Sequence, residues 1–110
     1  MKIIKSEVEG VTIIGVDGEI DLNSSPELHD FFNKLVADGA QKVIIDFEKI
    51  SYIDSSGLAT IISAMQELKK NEGKLSLASV SEKIRNILEV TKLDKIFSIY
   101  ATQEDAIASF

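Results

Sequence analysis

The chain has 110 residues, of which 45% are hydrophobic and 27% charged, and these values predict one globular domain spanning residues 1–110. It contains no cysteine, which excludes disulfides and thiolate metal sites, and its net charge of −6 argues against nucleic acid as a direct partner. No apolar run approaches the ~20 residues that cross a bilayer, and the N-terminus lacks a signal peptide, so we expect a cytoplasmic protein without membrane association.

Two β-rich runs open the chain, Ile3–Val8 and Val11–Val16. Glu9-Gly10 between them is typical of a tight hairpin connection. The acidic segment Asp17–Asp21 that follows has the composition of a solvated loop. The N-terminal region is therefore predicted to be a β-hairpin followed by a polar loop.

A first helix is predicted to begin near Ser24, because Ser24 and Glu27 have the spacing of a capping box. It ends at Gly39, which can adopt the left-handed conformation of a C-terminal cap. The apolar run Lys42–Phe47 then predicts a buried strand, and Glu48–Tyr52 is interpreted as a connection.

The second half of the chain alternates helices with short strands. The remaining elements follow in this order: a helix from about Ser56 to Gly73, a strand over Lys74–Ala78, a helix from Ser81, a short strand over Ile96–Ile99, and a final helix from Thr102. This order predicts an α/β sandwich with a mixed central sheet of four to five strands, an N-terminal hairpin and about four helices.

The polar segment Asp54-Ser55-Ser56-Gly57 lies between the predicted connection Glu48–Tyr52 and the long central helix. Asp and Ser begin helices well because their side chains accept hydrogen bonds from free backbone N–H groups. A hydroxyl at the positive end of a helix dipole is also a position where an added phosphate is tolerated. The segment itself leaves two interpretations open, an ordinary cap or a cap whose serine is modified.

The central helix is amphipathic. On a wheel of about 100° per residue, the apolar side carries Leu58, Ile61, Ile62, Met65 and Leu68, and the other side carries Ala59, Thr60, Ser63, Glu67 and Lys70. Small residues at the start of that second side would let a partner approach closely, although an ordinary solvated face has the same pattern.

Catalysis by this chain is not indicated. The only histidine, His29, is predicted to lie on the polar side of the first helix. The sequence has no Gly-x-Ser-x-Gly elbow, phosphate-binding loop, dinucleotide fingerprint or metal-ligand spacing. We therefore expect no enzyme activity, no metal and no cofactor.

Two motifs of the chain resemble those of bacterial anti-sigma-factor antagonists, which are STAS domains. Asp54–Leu58 is similar to the family signature around its phosphorylated serine, and Gly18–Asp21 is similar to its Gly-Glu-Leu/Ile-Asp motif. Asn71–Leu75 resembles the family's link between the central helix and the next strand. The element order agrees with that of the family along nearly all of the chain.

The resemblance implies a non-catalytic domain that binds an anti-sigma factor, itself a serine kinase, and so releases a sigma factor. It implies that the kinase phosphorylates Ser55, that the phosphorylated domain dissociates from the kinase, and that a metal-dependent serine phosphatase removes the phosphate. It places Asp21, Asp54, Ser56 and Gly57 at the partner-facing end, and it leaves open whether Ser56 is a second site. Nothing in the sequence supports the weak nucleotide binding proposed for some members.

Two other functions remain as alternatives. One is a STAS scaffold subunit of a sensory, stressosome-like assembly or of a lipid-transport assembly, in which the serine is only a cap. The other is a small enzyme using Ser55 or Asp54, which the absence of a general base and an oxyanion motif disfavours.

Overall fold

The computed structural model describes all residues, 1–110. Its strands are β1 (Lys2–Val8), β2 (Val11–Ile20), β3 (Lys42–Asp46), β4 (Ile50–Ile53), β5 (Lys74–Ala78) and β6 (Ser98–Tyr100). Its helices are α1 (Ser25–Ala37), α2 (Ser55–Lys70), α3 (Glu82–Val90) and α4 (Gln103–Ala108), with a single 3₁₀ turn over Leu93–Lys95. None of the helices combines the length and the apolar character that crossing a membrane requires.

The strands form one mixed sheet in the order β1-β2-β3-β5-β6, with β4 paired to the far end of β2. Only β1 and β2 are antiparallel; the other pairs are parallel. The hairpin turn at Glu9-Gly10 has φ angles of 53° and 80°, as the right-handed twist of a two-residue connection favours. The predicted α/β sandwich with an N-terminal hairpin and four helices is confirmed, with six strands instead of four to five.

The extra strand, β4, corrects two predictions, the first being the interpretation of Glu48–Tyr52 as a connection, because Ile50–Ile53 is a strand. The predicted loop at Asp17–Asp21 is wrong as far as Ile20, because β2 continues through a bulge at Gly18 and Glu19 and pairs there with β4. Gly18 has a φ of 115° and its N–H donates to the Lys49 carbonyl, 3.0 Å away. A bulge of this kind lets a strand bend and gain a new neighbour. The acidic composition of Asp17–Asp21 therefore indicated a loop where the chain continues as a strand.

Both faces of the sheet are covered. Helices α1, α2 and α3 pack on one face around Val43, Ile45 and their neighbours, and the short helix α4 covers Ile44 on the other. A strand buried on both faces is apolar at every position, which explains the continuous Val43-Ile44-Ile45 run. The single histidine, His29, is exposed on α1, as predicted.

Candidate functional site

The candidate site forms where the parallel strands β2 and β4 end side by side. Ile20 and Ile53 are register partners, and the Asp54 N–H donates to the Ile20 carbonyl at 3.1 Å. The loop after β2 and the first turn of α2 therefore lie next to each other. The two motifs singled out in the sequence, Gly18–Asp21 and Asp54–Leu58, meet at this edge of the sheet.

One carboxylate connects the two segments. Asp54 Oδ1 accepts from the Ser56 hydroxyl at 2.6 Å and from the Gly57 N–H at 3.0 Å, while Oδ2 accepts from the Leu22 N–H at 3.2 Å. Asp54 is therefore the N-cap of α2 and also holds the loop after β2. The Ser56 hydroxyl, followed by the Gly57 N–H, lowers the pKa of Asp54, because these donors stabilise the ionised form.

The lowered pKa of Asp54 predicts a pH-dependent stability. Unfolded Asp has a pKa of about 3.9, so the stability added by the ionised carboxylate is fully present above that value and is lost as pH falls through the lower pKa of the folded state. Asp54→Asn keeps a capping oxygen but cannot titrate in this range. The thermal midpoint of the wild type should exceed that of Asp54→Asn near neutral pH, and the difference should shrink on acidification. A difference that is constant with pH would show that the charge of Asp54 contributes nothing, and Asp30→Asn on exposed α1 controls for loss of a surface carboxylate.

The two serines of the motif have different environments. Ser55 is the first residue of α2; its side chain is exposed and takes part in none of the side-chain hydrogen bonds that hold its neighbours. Ser56 is half-buried; its hydroxyl donates to Asp54 and lies 3.4 Å from the Ser25 hydroxyl at the start of α1. Of the two serines, only Ser55 therefore has a hydroxyl that is both exposed and free of side-chain hydrogen bonds.

The loop after β2 is held by its own polar side chains. Asp21 Oδ1 accepts from the N–H groups of Asn23 (2.9 Å) and Ser24 (3.1 Å), and the Asp21 N–H donates to the Ser24 hydroxyl at 2.9 Å. That hydroxyl donates in turn to the Glu19 carbonyl at 2.8 Å. The predicted capping box of Ser24 and Glu27 is therefore wrong, because the Ser24 hydroxyl is committed to the loop and makes no cap hydrogen bond.

Gly57 and Thr60 are not surface residues, which corrects their assignment to the partner-facing side. Gly57 is buried, and a Cβ there would lie 2.7 Å from side-chain atoms of both Ile20 and Ile53. Thr60 is only 8% exposed, and its hydroxyl donates to the Ser56 carbonyl at 3.0 Å. Thr60 lies one turn beyond Ser56, whose hydroxyl faces Ser25 of α1, so the covered arc of the helix is wider on this side than the apolar pattern indicated.

The outward face of α2 begins at Ser55 and continues one residue per turn along the helix. Ala59 and Gln66 are exposed, and Ile62 and Ser63 are half-buried. Asp21, Asp54, Ser55 and Ser56 thus lie together at the start of the helix, with Ala59 and Ser63 following on its accessible side.

One feature of this surface, the exposure of Leu22, was missed by sequence analysis. Leu22 is 74% exposed in the loop that Asp54 holds. Glu19, Asp21 and Glu27 border a shallow depression beside the same loop, which makes the region acidic. The only signal for Leu22 was an apolar residue isolated among turn-forming residues.

The fold and this site describe a small α/β domain whose polar motifs lie on an accessible surface. The chain belongs to the STAS domain family, whose model matches residues 2–106. It is 29% identical to the anti-sigma-B factor antagonist of Staphylococcus aureus over 86 residues, which are 78% of this chain and 80% of that protein.

Solved structures show the same similarity. An anti-sigma factor antagonist from Mycobacterium paratuberculosis has a TM-score of 0.89 and 28% identity, covering 98% of this chain and 92% of its own. The unphosphorylated form of the anti-sigma factor antagonist SpoIIAA, a Bacillus cell-fate determinant, has a TM-score of 0.75 and 25% identity, covering 98% and 96%.

Proposed function

We propose that this chain is an anti-sigma factor antagonist. Its unphosphorylated form binds an anti-sigma factor in the cytoplasm and thereby releases a sigma factor, and the chain itself performs no catalysis. The names of the relatives in Staphylococcus aureus and Mycobacterium paratuberculosis support this function. Residues 1–110 act in it as a single STAS domain.

The proposed switch is phosphorylation of Ser55 by the anti-sigma factor, which is also a serine kinase, with a metal-dependent phosphatase restoring the free serine. The observation that carries this proposal is the exposed Ser55 hydroxyl at the first position of a 16-residue helix. SpoIIAA, a protein of the same fold, has been solved in unphosphorylated and phosphorylated forms.

The protein itself tolerates the added charge at this position. A phosphate carries about −1.5 to −2 charges at neutral pH. The first N–H groups of a helix have no partner within the helix, and together with the helix dipole they stabilise an anion at its N-terminus. Asp54 next door is already ionised and opposes the phosphate, but both groups remain open to water, which screens their repulsion. Phosphorylation is therefore expected to leave the fold intact.

A bound partner does not tolerate the same charge. A protein surface that covers Ser55 removes water from the phosphate, and an unpaired buried dianion costs several kcal/mol. The acidic groups Asp21 and Glu19 favour basic partner side chains opposite the neighbouring loop, where they pair with those carboxylates, so the partner surface over Ser55 itself is uncharged and offers the phosphate no cation. The proposed partner surface therefore comprises Asp21, Asp54, Ser55 and Ser56 with Ala59 and Ser63, while Gly57 and Thr60 support it from inside.

Phosphopeptide mapping tests the site directly. Each serine-kinase anti-sigma factor encoded by the source organism is purified and incubated with the chain and ATP. We expect phosphate on Ser55 and none on Ser56, because the Ser56 hydroxyl donates to Asp54 at 2.6 Å. Ser55→Ala should remove the modification, whereas Ser56→Ala should retain it. Phosphate on Ser56 in the wild type, or undiminished labelling of Ser55→Ala, would contradict the assignment.

A further inference from the structure

We propose that Leu22 is an anchoring contact between this chain and its anti-sigma factor, inserting its side chain into a non-polar pocket of that partner. This inference rests on the proposed function and extends the interface beyond α2 to the loop after β2. Leu22 is exposed, hydrogen bonds fix its backbone, and one of these bonds links it to the helix that carries Ser55.

Leu22 is 74% exposed, although its side chain is entirely hydrocarbon. Isolated exposed apolar residues are common and need no function, and Val90 is even more exposed, at 84%. Exposure alone therefore does not distinguish Leu22. What distinguishes it is that its backbone is bonded to the residue that caps α2.

The backbone of Leu22 is held in place on both sides. Its N–H donates to Asp54 Oδ2 at 3.2 Å, and the following two N–H groups, of Asn23 and Ser24, donate to Asp21 Oδ1. A loop ordered in advance loses little conformational freedom on binding, so an apolar side chain that it presents contributes most of its burial to affinity. The loop therefore displays Leu22 as a fixed contact.

Leu22 and Ser55 share one neighbour. Asp54 accepts from the Leu22 N–H through one carboxylate oxygen, and Ser55 is the residue that follows Asp54 in the chain. The Leu22 backbone is therefore bonded to the residue next to Ser55, and a partner surface of ordinary size that covers the Ser55 hydroxyl also reaches the loop that carries Leu22. The acidic groups Glu19, Asp21 and Glu27 lie around the same loop, so the matching pocket is non-polar with basic side chains at its rim.

The test compares three variants by titration calorimetry with the purified anti-sigma factor that phosphorylates the wild-type chain. Leu22→Ala should raise Kd about tenfold, the loss expected when a side chain that fills a pocket is truncated. Leu22→Met, which conserves volume and apolar character, should stay near the wild-type value. Val90→Ala, a truncation of an even more exposed apolar residue at the end of α3, should leave Kd unchanged.

Different outcomes contradict the role of Leu22 and the proposed function. The thermal midpoints of the Leu22 variants should match that of the wild type, because the truncated side chain is exposed and the N–H to Asp54 remains. Equal binding by wild type and Leu22→Ala overturns the role of Leu22 and leaves the proposed function intact. Equal weakening by Leu22→Ala and Val90→Ala also overturns it. Failure of the wild type to bind any serine-kinase anti-sigma factor of the source organism overturns the proposed function and the role of Leu22 together.

Discussion

Ser55→Asp is expected to weaken binding of the anti-sigma factor by more than about a hundredfold, because a buried and unpaired carboxylate costs several kcal/mol. The same substitution should leave the thermal midpoint unchanged or slightly raised, since an acidic residue in the first turn interacts favourably with the helix dipole. The exposed position of Ser55 allows both effects at once. Calorimetric titration and thermal unfolding of the same samples measure them.

The matched control for this substitution is Ser55→Asn, which has the shape of Asp without its charge. Ser55→Ala removes the hydroxyl without adding bulk. Both variants should bind within a few-fold of the wild type if charge is the cause. Weakening by Asn as strong as that by Asp would show that steric fit at the start of α2, rather than charge, controls binding.

Gly57→Ala is expected to lower the free energy of unfolding by about 1–3 kcal/mol, the usual cost of overpacking a core. The new methyl group would lie 2.7 Å from side-chain atoms of Ile20 and Ile53 and 3.0 Å from the Ile20 carbonyl oxygen. These residues belong to the paired ends of β2 and β4, so the first turn of α2 must shift away from the sheet. In an unobstructed helix the same change would instead stabilise by about 0.5–1 kcal/mol.

Gly15→Ala on β2 provides the comparison for this prediction. Its added methyl would meet nothing closer than 3.7 Å, so it should be close to neutral. Urea denaturation gives the midpoint and slope for both variants. A Gly57→Ala protein as stable as the wild type would mean that α2 is not seated on Ile20 and Ile53 as the structure places it.

Much of the fold was predictable because local signals agree with tertiary packing. The Glu9-Gly10 hairpin follows from turn chemistry. The starts of α3 and α4 follow from Ser81 and Thr102, residue types that cap helices well, and the two hydroxyls accept from the Ile84 and Asp105 N–H groups. The mixed sheet follows from the order of the elements, and STAS family membership follows from the two motifs.

The predictions that were wrong share a different cause. At those positions tertiary contacts, rather than local sequence signals, determine the structure. β4 is only four residues long and exists because the bulge at Gly18 lets β2 gain a third partner beyond β1 and β3. Thr60 is buried although the helical wheel places it on the polar side, because a wheel does not show which neighbouring elements cover the helix. The Ser24 hydroxyl had two possible roles, and its bonds to the loop replaced the cap.

The sequence indicated which residues form the candidate site, but not which structural role each of them has. The motif Asp54-Ser55-Ser56-Gly57 shows four residues suited to a helix start. Only the geometry separates the capping carboxylate, the exposed hydroxyl, the bonded hydroxyl and the buried glycine. Exposure of Leu22 has no counterpart in composition or periodicity, because a loop residue follows neither helix nor strand period.

The most direct test of the account is to compare the chain fully phosphorylated on Ser55 with the unmodified chain, measuring the thermal midpoint and the Kd for the anti-sigma factor on the same preparations. We predict an unchanged midpoint together with a Kd raised by more than about a hundredfold. Unchanged affinity, or a loss of affinity that accompanies unfolding of the phosphorylated chain, would contradict it.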